Sequence, residues 1–160
     1  MAAKILIPLD GSKTGEAALP YVEELLSKLS PRVKLEFTLF QVVSLLTHYV
    51  ATGEAVASIS YTEKEMEQIQ QEARDYLNKV AEGIRSEKVS VEIRVGIGIG
   101  SAAEEIIKVA DEISVDLIAM STHGRHGISR LAFGSVTDRV LREGHKPVLL
   151  VRAPKEAAQT

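Results

Sequence analysis

Between Met120 and Asp138 the chain reads MSTHGRHGISRLAFGSVTD, and this segment holds its densest set of residues suited to an anion. Gly124, Gly127 and Gly134 allow the backbone to approach a ligand closely, and Gly134-Ser135 opens a predicted helix. The unpaired N–H groups and the dipole at such a helix start attract negative charge. Ser135 is expected to cap this helix and offers a hydroxyl as well. Arg125, His126 and Arg130 add positive or titratable charge, and no acid intervenes between Asp116 and Asp138. Phosphate is the chemistry this pattern fits; a turn-rich connection with solvated arginines is the plainer reading of the same spacing.

Other constellations are weaker. Gly98-x-Gly100-x-x-Ala103 matches a dinucleotide fingerprint between a strand and a helix. That fingerprint needs an acid at the carboxyl end of the following strand, whereas Asp116 falls at the amino end. A plain loop with a helix cap explains this cluster better. Ser121, His123 and Asp10 could approach one another, but no G-x-S-x-G elbow is present. His123 and His126 stand three apart without a third ligand nearby, which does not make a metal site. The loop lacks G-K-[ST] and so is not a P-loop, and no lysine is placed to stabilise a departing phosphate. The charged residues of 63–85 read as the solvated face of a helix.

Positioning these residues requires a scaffold, and hydrophobic period supplies one. Strands are predicted at Lys4–Leu9, Val33–Val43, Val89–Val95, Asp116–Met120 and Pro147–Arg152. Helices are predicted over Thr14–Leu29, from Thr62 through Ile84, from Ser101 through Ile113, and from Ser135 to Gly144. Ala18, Val22, Leu25, Leu26 and Leu29 form the inner stripe of the first helix, which Pro20 should bend or delay. Thr62 with Glu65, and Ser101 with Glu104, have capping-box spacing. Residues 44–61 show no clear period and read as a long loop, placed to act as a lid.

The alternation implies a single doubly wound α/β domain: a five-stranded parallel sheet, helices on both faces, Rossmann-like. The continuously apolar ILI and LIAM runs belong at the sheet centre. With strands one and four adjacent, order 3-2-1-4-5, a ligand crevice opens at their carboxyl ends. The segments leaving those ends are Pro8-Leu9-Asp10-Gly11-Ser12 and Met120-Ser121-Thr122-His123-Gly124.

On these residues the chain resembles the universal stress protein family. The first strand ends in PLDGS, and a G-x2-G-x9-G-[ST] loop lands on Ser121, Gly124 and Gly134-Ser135. GSAAEEI at the third helix start and PVLLV in the last strand also fit. The resemblance spans Ala3–Arg152, so residues 1–152 are expected to form the domain and 153–160 a tail. It implies ATP binding, with Mg2+ carried on the phosphates, in a regulatory module with slow hydrolysis at most. It further implies that Pro8, Leu9 and Asp10 line the nucleoside and that Val42 and Met120 flank the adenine. Ser121, Gly124, Arg125, Gly134, Ser135 and Val136 would follow the ribose and phosphates. Ser121 stands where the pattern has its first glycine, adding a Cβ beside the ligand and disfavouring positive φ. The resemblance also implies a homodimer through Val148–Val151, an apolar edge strand that no later helix covers. Alternatives within this fold are an interaction module without nucleotide, and an enzyme acting on an adenylated or phosphorylated small molecule.

Composition narrows the partners. The 160 residues carry 19 Lys+Arg against 22 Asp+Glu, a net charge of −3, which argues against duplex nucleic acid bound by counterion release. The absence of cysteine excludes disulfides and thiolate metal sites, and fits a cytoplasmic protein. Phe37–Gly53 lacks charged residues but is too short and too polar for a membrane span, and no signal peptide is expected at the start.

Overall fold

The computed structural model describes residues 2–29, 32–44, 48–52, 55–59, 61–98, 101–122 and 134–154. Strand β1 (Ala2–Pro8) carries the first apolar run, and two helices follow it, α1 (Lys13–Glu16) and α2 (Ala18–Leu29). A single helix over 14–29 would need an N–H from Pro20 for the carbonyl of Glu16. Proline has no such donor, so the helix is interrupted at Ala17 and Pro20 falls in the first turn of α2, where no bond is lost. Leu19 joins Ala18 and Val22 in the core, whereas Leu25, expected inside, is 41% exposed at the rim of the stripe.

Beyond α2 run β2 (Lys34–Ser44), β3 (His48–Thr52), β4 (Ala55–Ile59), α3 (Glu63–Glu82) and β5 (Val89–Gly98). The chain continues through α4 (Ala102–Glu112), β6 (Leu117–Thr122), α5 (Ser135–Glu143) and β7 (Val148–Arg152). The main sheet has five strands in the order β5-β2-β1-β6-β7, and every pairing is parallel. This is the expected doubly wound order, with the reversal between β1 and β6. Ile5, Ile7, Leu35, Phe37 and Leu39 face α2 and α3, while Leu6, Phe40, Ile118 and Met120 face α4 and α5. Two apolar faces on the central strands explain why their sequences do not alternate.

Residues 44–61 depart from the loop expectation, because β3 and β4 pair there as a two-stranded antiparallel sheet from His48↔Ile59 to Thr52↔Ala55. Two short runs around Gly53-Glu54 carry the hairpin signal. Apolar residues at adjacent positions (Val50-Ala51 and Ala55-Val56) conceal the period of two. At α3 the capping box forms in full: the Thr62 hydroxyl accepts from the Glu65 N–H at 3.3 Å, and the Thr62 N–H donates to Glu65 Oε2 at 2.8 Å. At α4 only half forms. Ser101 Oγ accepts from the Glu104 N–H at 3.3 Å, but the Glu104 carboxylate turns to Arg139 on α5, which also donates to Ser101 Oγ at 2.7 Å. A neighbouring helix has taken the carboxylate that the local motif would use.

Candidate functional site

Where β1 and β6 part company, their carboxyl ends border a cleft of about 360 Å³. Its construction begins at β1. Pro8 is the last residue of the strand, and the Leu9 N–H donates to the Phe40 carbonyl at 2.8 Å. Gly11 then adopts φ +84°, a left-handed turn that carries the chain back toward α1. Ser12 caps α1, accepting from the Gly15 N–H at 3.0 Å, while its own N–H donates to Asp10 Oδ1 at 2.9 Å. Asp10 is thereby fixed at the cleft wall. Gly15 must be small, since a Cβ there would lie 2.9 Å from Asp10 Oδ1.

From the other side, β6 contributes Met120, Ser121 and Thr122. Ser121 Oγ donates to the Gly15 carbonyl at 3.0 Å, tying β6 to α1. The expected backbone penalty at Ser121 does not arise: it lies in β6, and among the described residues only Ser114 and Gly11 have positive φ. Serine therefore fits where the motif has glycine, and its hydroxyl is engaged within the fold.

A further wall of the cleft is the start of α5. Gly134, rather than Ser135, is the N-cap, at φ −62° and ψ 160°, with no side-chain capping bond. The first intrahelical bond runs from the Asp138 N–H to the Gly134 carbonyl at 2.9 Å, so Ser135 already sits inside the first turn. The N–H groups of Ser135, Val136 and Thr137 precede that bond and belong to the donor set a helix leaves open at its start. All three residues line the cleft.

Pro8, Leu9, Asp10, Val42, Met120, Ser121, Gly134, Ser135 and Val136 are thus brought to one cleft. Gly124 and Arg125 lie outside the described residues, as do His123 and His126. Thr14, Gly15, Phe40, Gln41, Ala102, Ile106, Thr122 and Thr137 also line it and were not legible as site residues. Phe40 and Ile106 are core residues as well as lining, 1% and 3% exposed. Gln41 interrupts the apolar run of β2, a signal in itself. Its Oε1 is buried without a hydrogen-bond partner among the described residues.

Of the second glycine cluster, Gly100 lies outside the described residues, and it is Gly96, two residues before the cluster, that has a packing role. A Cβ on Gly96 would sit 2.6 Å from the Phe40 ring, so glycine lets that ring lie across β5. Asp116 lies at the far end of the sheet, where its carboxylate accepts from the Lys4 N–H at 2.8 Å. Among the described residues there is no cluster of His, Asp and Glu able to hold a metal ion, and no helix long and apolar enough to cross a membrane.

The model of the Universal stress protein family matches residues 1–152. The chain belongs to the universal stress protein family. Among its relatives, the universal stress protein MJ0577 of Methanocaldococcus jannaschii is 30% identical over 159 residues, 95% of this chain and 96% of that one. A second protein of that organism, universal stress protein MJ0531, is 31% identical over 154 residues, covering 96% of this chain and 84% of its own. The solved structure of MJ0577 superposes with a TM-score of 0.67 at 26% identity, covering 97% of this chain and 99% of that one. In this universal stress protein β7 forms one edge of the sheet, paired to β6 alone among the described strands, with Val148–Val151 half-buried.

Proposed function

We propose that the cleft binds an adenine nucleotide, ATP in the first instance, and that the chain is a nucleotide-dependent regulatory module of the stress response. The observation that carries this reading is the juxtaposition, in one cleft, of an apolar slot, a carboxylate and a helix start. Val42, Met120, Phe40 and Ile106 offer a base an apolar slot. Asp10 is an acceptor suited to sugar hydroxyls, and the open N–H groups of α5 suit phosphate oxygens. Gln41 Oε1, buried without a partner, would gain one from the exocyclic amine of adenine. By the family resemblance Gly124 and Arg125 would complete the phosphate path, and any Mg2+ would ride on the phosphates.

Structures of the same fold have been solved with cAMP, with dAMP from Archaeoglobus fulgidus, and with AMP from Arabidopsis thaliana, at 19%, 20% and 14% identity. At that distance they speak for the fold, so the nucleotide reading rests on this chain's own cleft. The sequence places no general base or lysine clamp beside the phosphate path, and the reading therefore assigns the ligand a regulatory role. A homodimer through Val148–Val151 belongs to the same proposal: a half-buried apolar edge strand gains cover by pairing with its copy.

Thermal shift with ATP, ADP, AMP, cAMP and NAD tests the reading. A ligand at about 100 times its Kd stabilises by roughly 2.7 kcal/mol. For a domain of this size that corresponds to a rise of about 5–11 °C in Tm. Stabilisation by adenine nucleotides supports the proposal. A flat response to the whole panel would leave an interaction module without nucleotide.

A further inference from the structure

The opposite edge of the sheet carries a different kind of surface. Strand β5 spans ten residues, Val89–Gly98, and among the described strands pairs with β2 alone, in an unbroken register from Leu35↔Val89 to Ser44↔Gly98. It contains no proline and no bulge, the usual devices that blunt an edge. The Leu35 N–H donates to the Lys88 carbonyl, which fixes the alternation of the ladder. Backbone groups of even-numbered residues turn to β2, and those of odd-numbered residues turn to the open edge. Val89 exchanges both of its groups with Ser86. Val91, Ile93 and Val95 therefore present their backbone groups outward, while their side chains pack partly buried against the core under α3.

On the other face of β5, Ser90, Glu92 and Arg94 are exposed, and neither Glu92 nor Arg94 joins an ion pair among the described residues. We infer that β5 is a self-association edge whose occupant is β5 of a second copy, antiparallel, with the two-fold axis at Ile93. In that register Ile93 exchanges backbone bonds with Ile93 of the second copy, and Val91 does so with Val95. Glu92 then stands directly opposite Arg94 of the second copy, in a position where side chains are closest. The same pair is repeated across the axis.

Charge selects this register over its neighbours. An axis at residue 92 sets Glu92 against itself, and an axis at 94 sets Arg94 against itself. An axis at 91 brings Arg94 opposite Lys88, and an axis at 95 leaves both charges opposite glycines. Like charges placed directly opposite are destabilising. If β7 also pairs with its copy, alternating two-fold contacts at the two edges generate an open linear assembly.

The natural chain has no cysteine, so cross-linking reads the register directly. Glu92→Cys protein mixed with Arg94→Cys protein should form disulfide heterodimers on mild oxidation, well above the homodimers that either variant forms alone. The directly opposed Cα atoms, about 4.5 Å apart, are within disulfide reach. Equal cross-linking of mixed and single variants, or none in the mixture, overturns the pairing. In a second arm, sedimentation equilibrium of the full chain should show self-association weakened about tenfold by Glu92→Arg or by Arg94→Glu. The double reversal should restore it. Singles that match the natural chain, or a double reversal as weak as the singles, would refute the register.

Discussion

Replacing Gly134 with valine separates folding from binding at the site. Gly134 occupies the N-cap of α5 at φ −62° and ψ 160°, a conformation any residue adopts, and a Cβ there meets nothing within 4 Å. It also makes no side-chain cap bond that valine could forfeit, so the loss in stability is limited to about 1 kcal/mol of capping preference. That corresponds to a fall of roughly 2–4 °C in Tm. The added branches, by contrast, stand directly before the N–H groups of Ser135, Val136 and Thr137. Hydrogen bonds from amides to a charged phosphate are each worth about 1.5–3 kcal/mol. Blocking two of them costs about 3–6 kcal/mol, a loss of roughly a hundredfold to ten-thousandfold in affinity. Titration calorimetry with ATP on the natural chain and on Gly134→Val, with thermal melts of both without ligand, measures the two effects separately. A folded variant with unchanged ATP affinity would refute the placement of the phosphates on α5.

Ser121→Gly removes the hydroxyl bond to the Gly15 carbonyl and adds chain entropy; it should destabilise the fold by about 1–2 kcal/mol in denaturant melts, with ATP binding unchanged or tighter. A clear loss of affinity would mean that the serine touches the ligand. In a Glu92→Arg background, where the β5 contact is weakened, Leu149→Lys should shift light scattering from about twice 17.4 kDa toward the single-chain mass, and indifference to it would place the β7 contact elsewhere. Tyr76 titrates above its ordinary value, chiefly because of burial and then because its hydroxyl donates to the nearby Glu16 carboxylate at 3.1 Å. The folded state therefore holds this proton more firmly than the unfolded chain. The contribution to stability is complete below the ordinary tyrosine value of about 10 and is lost as pH rises through the higher folded value. Tyr76→Phe should flatten that alkaline decline in melts; an unchanged slope would locate its cause elsewhere.

Local chemistry wrote much of this protein into its sequence. Period and capping define the long helices: Thr62 and Glu65 are three residues apart and need only each other, so the α3 cap forms as read. Continuous apolar runs mark the strands buried on both faces, and that distinction yields the strand order, hence the crevice between β1 and β6. Leu9-Asp10, just after β1, and Ser121-Thr122, the last residues of β6, reach the cleft because a parallel sheet delivers all its carboxyl ends to one side. Tertiary structure decided the remainder, wherever a residue had a choice of partners at long range. Glu104 abandons its capping box for Arg139, a helix away in the fold. Gly134 rather than Ser135 becomes the cap, and Phe40 gains its place across β5 because residue 96 lacks a Cβ. Gln41, Ile106 and Thr137 belong to different elements and show no common spacing along the chain. Only the packing of α4 and α5 against the sheet brings them to one cleft, because side chains meet through space while a sequence records only order along the backbone.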